Sequence, residues 1–142
     1  MEQYHDPMVQ RVWQRVQGEG DDSITQLLLT ETELLSIFQR LSSLMPQHKL
    51  HFQQLSDISQ KQKSCLLGLL RLRGEKKPPL PPLKPRQETL PGLLRKGSAL
   101  LNRSANAFLR FSQSGEFGGV FALLAKEKYA QLQLLLEILG KE

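Results

Sequence analysis

Cysteine is nearly absent, with Cys65 the only one among 142 residues. That excludes a disulfide framework and most cysteine-rich metal modules. His5, His48 and His51 are the only three histidines, which leaves little for an imidazole-rich metal site. Valine occurs only at positions 9, 12, 16 and 120, and no alternating apolar run exists, so strand signals are missing. No apolar run approaches the roughly 18–20 residues of a membrane span. The opening MEQYHDPMVQ has no basic stretch followed by an apolar one, so the expectation is a cytoplasmic protein without a secretory signal. A chain of this length buries about two-thirds of its unfolded surface and folds without a disulfide or metal staple.

Leucine fills the gap that valine leaves, and it favours helix. Asp21-Asp22-Ser23 reads as the opening of a first helix, with Ser23 as its N-cap and the aspartates at the positive end of the dipole. Ile24, Leu27, Leu28, Glu31, Leu34, Leu35, Phe38 and Leu41 then recur at helical spacing, and Pro46 ends the segment. A second helix is predicted over about 49–72, with a stripe of Phe52, Leu55, Ser59, Gln62, Leu66 and Leu69 and Gly74 as its stop. A third is predicted over about 93–113. SGEFGG at 114–119 reads as a break in which Gly115, Gly118 and Gly119 supply the turn. A fourth runs over about 120–139.

Six of the eight prolines fall between Pro78 and Pro91. Both flanks of this stretch, residues 74–92, are strongly periodic, so it reads as a stiff crossover rather than a tail. Eight residues of polyproline II reach roughly 25 Å, enough to run much of the length of a helix bundle. The halves it joins resemble each other. Phe38-Gln39-Arg40-Leu41-Ser42 falls on Phe108-Leu109-Arg110-Phe111-Ser112 at an offset of 70. Phe52, Leu55, Gln62 and Leu66 fall on Phe121, Leu124, Gln131 and Leu135 at an offset of 69. The predicted fold is all-α, with two αα-hairpins packed as one four-helix bundle over 21–140. Residues 1–20 form a separate segment, in which Met8, Val9, Val12, Trp13 and Val16 make a short amphipathic helix.

The core stripes carry polar residues at mid-length: Glu31 on the first helix, Ser59 and Gln62 on the second, Lys128 and Gln131 on the fourth. Leu101 is the repeat partner of Glu31 on the third. A buried carboxylate is costly unless it is paired. One reading therefore buries Lys128 against Glu31, with Gln62 and Gln131 completing the hydrogen bonds of the pair. In the other, Lys128 extends to solvent and Glu31 points to the bundle edge.

A bundle of two repeated hairpins with one long crossover resembles the ferritin-like superfamily, and within it the small rubrerythrin-like proteins. Residues 116–140, EFGGVFALLAKEKYAQLQLLLEILG, look like the last helix of that family, and residues 50–72 look like the second. The resemblance implies a di-iron centre, with one Glu from each of helices one and three and Glu-x-x-His from each of helices two and four. This chain has Ser59-x-x-Gln62 and Lys128-x-x-Gln131 at those places and Leu101 for the third-helix Glu. Glu31 matches the remaining ligand, with Glu33 the match in a shifted register. Iron wants several carboxylate and imidazole ligands. The expectation is thus a descendant that has lost its metal site, needs no cofactor, and works as a binding or structural protein rather than an enzyme. The alternative is a di-iron oxidoreductase whose ligands are aligned otherwise.

Other candidates have plainer readings. His48 and His51 lie three apart without a third ligand nearby and read as surface residues. Cys65, beside the core stripe, reads as an inert thiol. The glycines at 115, 118 and 119 make no phosphate loop, and no Ser-His-Asp signature is visible. Residues 71–110 carry a charge of +8 against −3 elsewhere. A basic nucleic-acid binder is therefore kept as a further alternative, although the crossover has no aromatic residue for stacking. PPLPPLKPR at 78–86 resembles a polyproline ligand with a basic flank, in which Arg86 would meet a partner, unless the crossover is packed across the bundle. Trp13 is the aromatic anchor through which the N-terminal segment would dock a protein partner or a second copy.

Overall fold

Leucine at helical spacing produces helices over most of the chain in the computed structural model, which describes residues 19–140 apart from 84 and 114, and the side chains from residue 24 onward. The amphipathic helix expected around Trp13 lies outside the described residues. The elements are α1 (Glu19–Leu44), a 3-10 turn (Pro46–His48), α2 (Lys49–Leu72), α3 (Leu90–Phe111) and α4 (Gly118–Gly140). Among the described residues there is no strand, and no helix is long and apolar enough to cross a membrane.

Three boundaries differ from expectation. Helix α1 is already formed at Glu19, so Ser23 lies inside it and is not its N-cap. Helix α3 begins at Leu90, three residues early, and ends at Phe111. Its cap is Thr89, whose hydroxyl accepts from the Gly92 N–H at 3.3 Å. Pro91 sits in the first turn, where its missing N–H costs no hydrogen bond. Gly118 and Gly119 belong to α4, and the left-handed residues of the turn are Gly115 (φ +98°) and Phe117 (φ +60°).

The end of α2 matches expectation in detail. Gly74 adopts φ +76°, its N–H donates to the Arg71 carbonyl, and the Glu75 N–H donates to the Leu70 carbonyl. This is the paired hydrogen-bond pattern that closes a helix through a left-handed glycine.

Two hairpins, α1–α2 and α3–α4, pack side by side, with α1 against α3 and α2 against α4. Gly97 lies beside Ile37, and Ser104 meets Glu31, so α3 runs opposite to α1. Helix α4 likewise runs opposite to α2, since Leu124 meets Gln62 and Leu55 meets Gln131. Helix α1 therefore faces α4 across the bundle's diagonal. The connection between α2 and α3 packs Leu80 on one apolar cluster, and α3 opens with Leu90 packed on the other.

Those two clusters fill the ends of the bundle. One contains Phe38, Leu41, Phe52, Leu93, Leu101 and Leu135, and the other contains Leu28, Leu66, Phe108, Phe121 and Leu124. Repeat-related residues sit in opposite clusters: Phe38 and Phe108, Phe52 and Phe121, Leu66 and Leu135. The sequence offset is thus realised as an exchange of the bundle's two ends.

Candidate functional site: a polar layer across the bundle

Between the apolar ends lies a polar layer to which every helix contributes. Glu31, Ser59, Gln62, Ser104, Lys128 and Gln131 are all buried. Each is flanked along its helix by apolar residues three or four positions away, so helical geometry turns all six inward.

At its centre the Lys128 Nζ donates to Glu31 Oε1 at 2.6 Å, and both side chains have 0% exposure. The pair bridges α1 and α4 across the diagonal. Of the two readings open from the sequence, the buried pair is the one observed, and Lys128 does not extend to solvent. Burial pushes the Lys128 ammonium below the ordinary lysine value, and the Glu31 carboxylate opposes that shift. The second Glu31 oxygen accepts from the Ser104 hydroxyl at 3.4 Å. Ser104 went unnoticed in the sequence, where the offset pointed to Leu101, one turn earlier. Leu101 is a fully buried member of an apolar cluster.

The glutamines do something other than expected. Neither completes the ion pair. Gln131 on α4 donates to the Leu55 carbonyl (2.8 Å) and to Ser59 Oγ (2.9 Å) on α2. Gln62 on α2 donates to the Leu124 carbonyl and to Glu127 Oε1 on α4, both at 3.2 Å. Under the offset of 69, Gln62 to Leu124 and Gln131 to Leu55 are the same bond made in opposite directions. The glutamines are therefore a reciprocal clasp between α2 and α4. The same offset matches Lys128 to Ser59, and the offset of 70 matches Glu31 to Leu101, so only one of the bundle's two diagonals carries an ion pair.

Glu33 points away from the layer. It takes Lys96 at 3.0 Å and Arg86 at 3.3 Å, and Arg86 is also bonded to Ser36 and Glu88. Partial burial would raise the Glu33 carboxyl, yet Lys96 and Arg86 hold it below its ordinary value. Arg86 holds the Glu88 carboxyl down at about 2, and Glu88 raises the Arg86 guanidinium in turn. Arg86, a candidate contact for a partner, is thus tied to its own bundle, with only 14% of its side chain exposed.

The remaining candidates stay apart from the layer. The His48 and His51 rings lie 5.6 Å apart. Cys65 is half-buried, and burial together with the Glu127 charge raises its thiol, the wrong direction for a nucleophile. Among the described residues no group of three or more His, Cys, Asp or Glu could hold a metal ion.

The donor set in the layer is one carboxylate, one ammonium, two amides and two hydroxyls. It does not suit the di-iron centre that the resemblance implies, because an ammonium already neutralises the one carboxylate and no imidazole is present. No protein-family model, curated protein or solved structure matches the chain.

Proposed function

We propose that this chain is a ferritin-like bundle in which a buried ion pair stands where relatives of that architecture would hold metal, and that it acts by binding a partner rather than by catalysis. The observation that carries the reading is the Lys128–Glu31 contact, with both groups fully buried at the middle of the bundle. A fixed positive charge there repels a divalent cation and also consumes the carboxylate that would bind one. The helix directions, the long connection and the exchanged glutamine bonds support the ferritin-like architecture, because two hairpins related in this way are what its topology requires.

Metal analysis of the purified protein, combined with its native mass, tests the reading. The expected result is no stoichiometric iron and a melting temperature that a strong chelator leaves unchanged. Two irons per chain, or per site shared by a dimer, would instead support a di-iron oxidoreductase.

A further inference from the structure

The polar layer leaves the most distinctive segment of the chain unused. Residues 78–86 read PPLPPLKPR and contain three overlapping Pro-x-x-Pro units, Pro78 to Pro81, Pro79 to Pro82 and Pro82 to Pro85. A polyproline II strand has three residues per turn, so positions three apart share an edge. On the edge of Leu80, Leu83 and Arg86, the first and last residues hold the bundle, and Leu83 between them is 48% exposed. Leu80 packs on an apolar cluster, Leu83 lies over a shallow cleft lined by Leu35 and Phe38, and Arg86 bonds Glu33 and Ser36. The edge of Pro79, Pro82 and Pro85 is exposed throughout, and Pro81 on the third edge is exposed as well. The bundle holds this segment at Leu80 and Arg86, and Pro79, Pro81, Pro82 and Pro85 stay exposed, the last three also bordering a cleft beside Leu29 and Thr32 of α1.

We infer that residues 78–86 are a docking surface for an SH3-type domain, read in place on the folded bundle. Such a domain takes a Pro-x-x-Pro strand into an aromatic-lined groove through its proline edges. Those edges are the ones left open here. The partner's chemistry follows from the charge around the strand. Lys76 and Lys77 are exposed beside the motif and its sequence adds Lys84, so the matching groove has an acidic rim. Anchoring by Leu80 and Arg86, with a helix at either end, fixes the strand before the partner arrives and lowers the ordering cost of binding. The inference names a partner class for the binding role proposed above and rests on it.

The test titrates the full chain with a panel of purified SH3 domains selective for Pro-x-x-Pro ligands with a basic flank. Saturable binding by at least one member is expected. Pro79→Ala, Pro81→Ala and Pro82→Ala combined, which together break all three units, should weaken that binding by about tenfold or more. Pro81→Ala alone provides a separate reading on the third edge, and circular dichroism shows that each variant is folded. Leu80→Ala, which loosens the anchor, should lower the melting temperature and weaken binding by less than the proline substitutions do. Binding by no member of the panel overturns the inference, and so does binding that survives the proline substitutions. A duplex-DNA complex that survives those substitutions and dissolves with salt would assign the basic surface to nucleic acid instead. Metal content is measured on the same preparation. Iron-loaded protein that still binds the domain overturns the metal-free reading alone, and metal-free protein that binds none overturns this inference alone.

Discussion

Single residues set the turns and the layer. At Gly118 an added Cβ would stand 2.7 Å from the Ser112 carbonyl oxygen, a backbone atom that cannot swing aside. Gly118→Ala should therefore open the α3–α4 connection and cost about 1–3 kcal/mol, read as a lower urea midpoint at an unchanged slope. A neutral result would mean that the turn relaxes freely. The same residue shows what one sequence conceals: it reads as a turn glycine, but it is the first residue of α4, required by close approach rather than by its dihedral angles. The turn's second left-handed residue, Phe117, carried no glycine signal, and its ring is packed against the cluster that contains Phe121. By contrast Ser59, Gln62 and Gln131 were legible as inward-facing, because each interrupts an apolar stripe whose phase its neighbours fix, whereas Glu31 and Lys128 stayed open because a long side chain on the same stripe can also extend to solvent. Ser104 was not legible, since Leu101 and Ala105 keep its stripe apolar and a lone serine is unremarkable in a helix. Which atoms the glutamines meet was also hidden. Periodicity gives the face of a helix, and hydrogen-bond partners depend on how two helices slide past each other.

Among elements, the proline-rich connection is the one most dependent on charge. Glu33, Lys96, Arg86 and Glu88 fasten its far end to α1 and α3. The Glu88 carboxyl titrates at about 2 in the folded protein against an ordinary 4.5, and Glu33 is lowered in the same sense. Folded-state values below the unfolded ones mean that this stabilisation is complete above about pH 4.5 and is lost as pH falls toward 2. Both carboxylates are partly exposed, so the contribution is modest, about 1 kcal/mol. Thermal unfolding followed from pH 6 to pH 2 should show the decline in the native chain and a shallower one in Arg86→Ala, which starts lower. Equal slopes would show that the clasp contributes nothing. The bounds of α2 were legible because Pro46 and Gly74 punctuate it. The start of α3 was not, because Pro91 reads as a breaker and Thr89 three residues upstream of Gly92 gives only a faint cap signal.

In the molecule as a whole, two apolar ends are joined through a polar middle, and the Glu31–Lys128 bridge runs across the diagonal between hairpins that otherwise meet along their sides. Its value to the fold is asymmetric. Removing one partner strands a charge in the interior at a cost of about 3–5 kcal/mol, whereas replacing both with apolar groups of similar volume is often neutral or better. The most direct measurement is therefore a double-mutant cycle by urea unfolding on Glu31→Leu, Lys128→Met and the double variant, with metal content checked in each. A buried pair in place of a metal predicts two strongly destabilised single variants and a double variant much closer to the native chain. Near-neutral single variants, or a double variant as damaged as their sum, would contradict it.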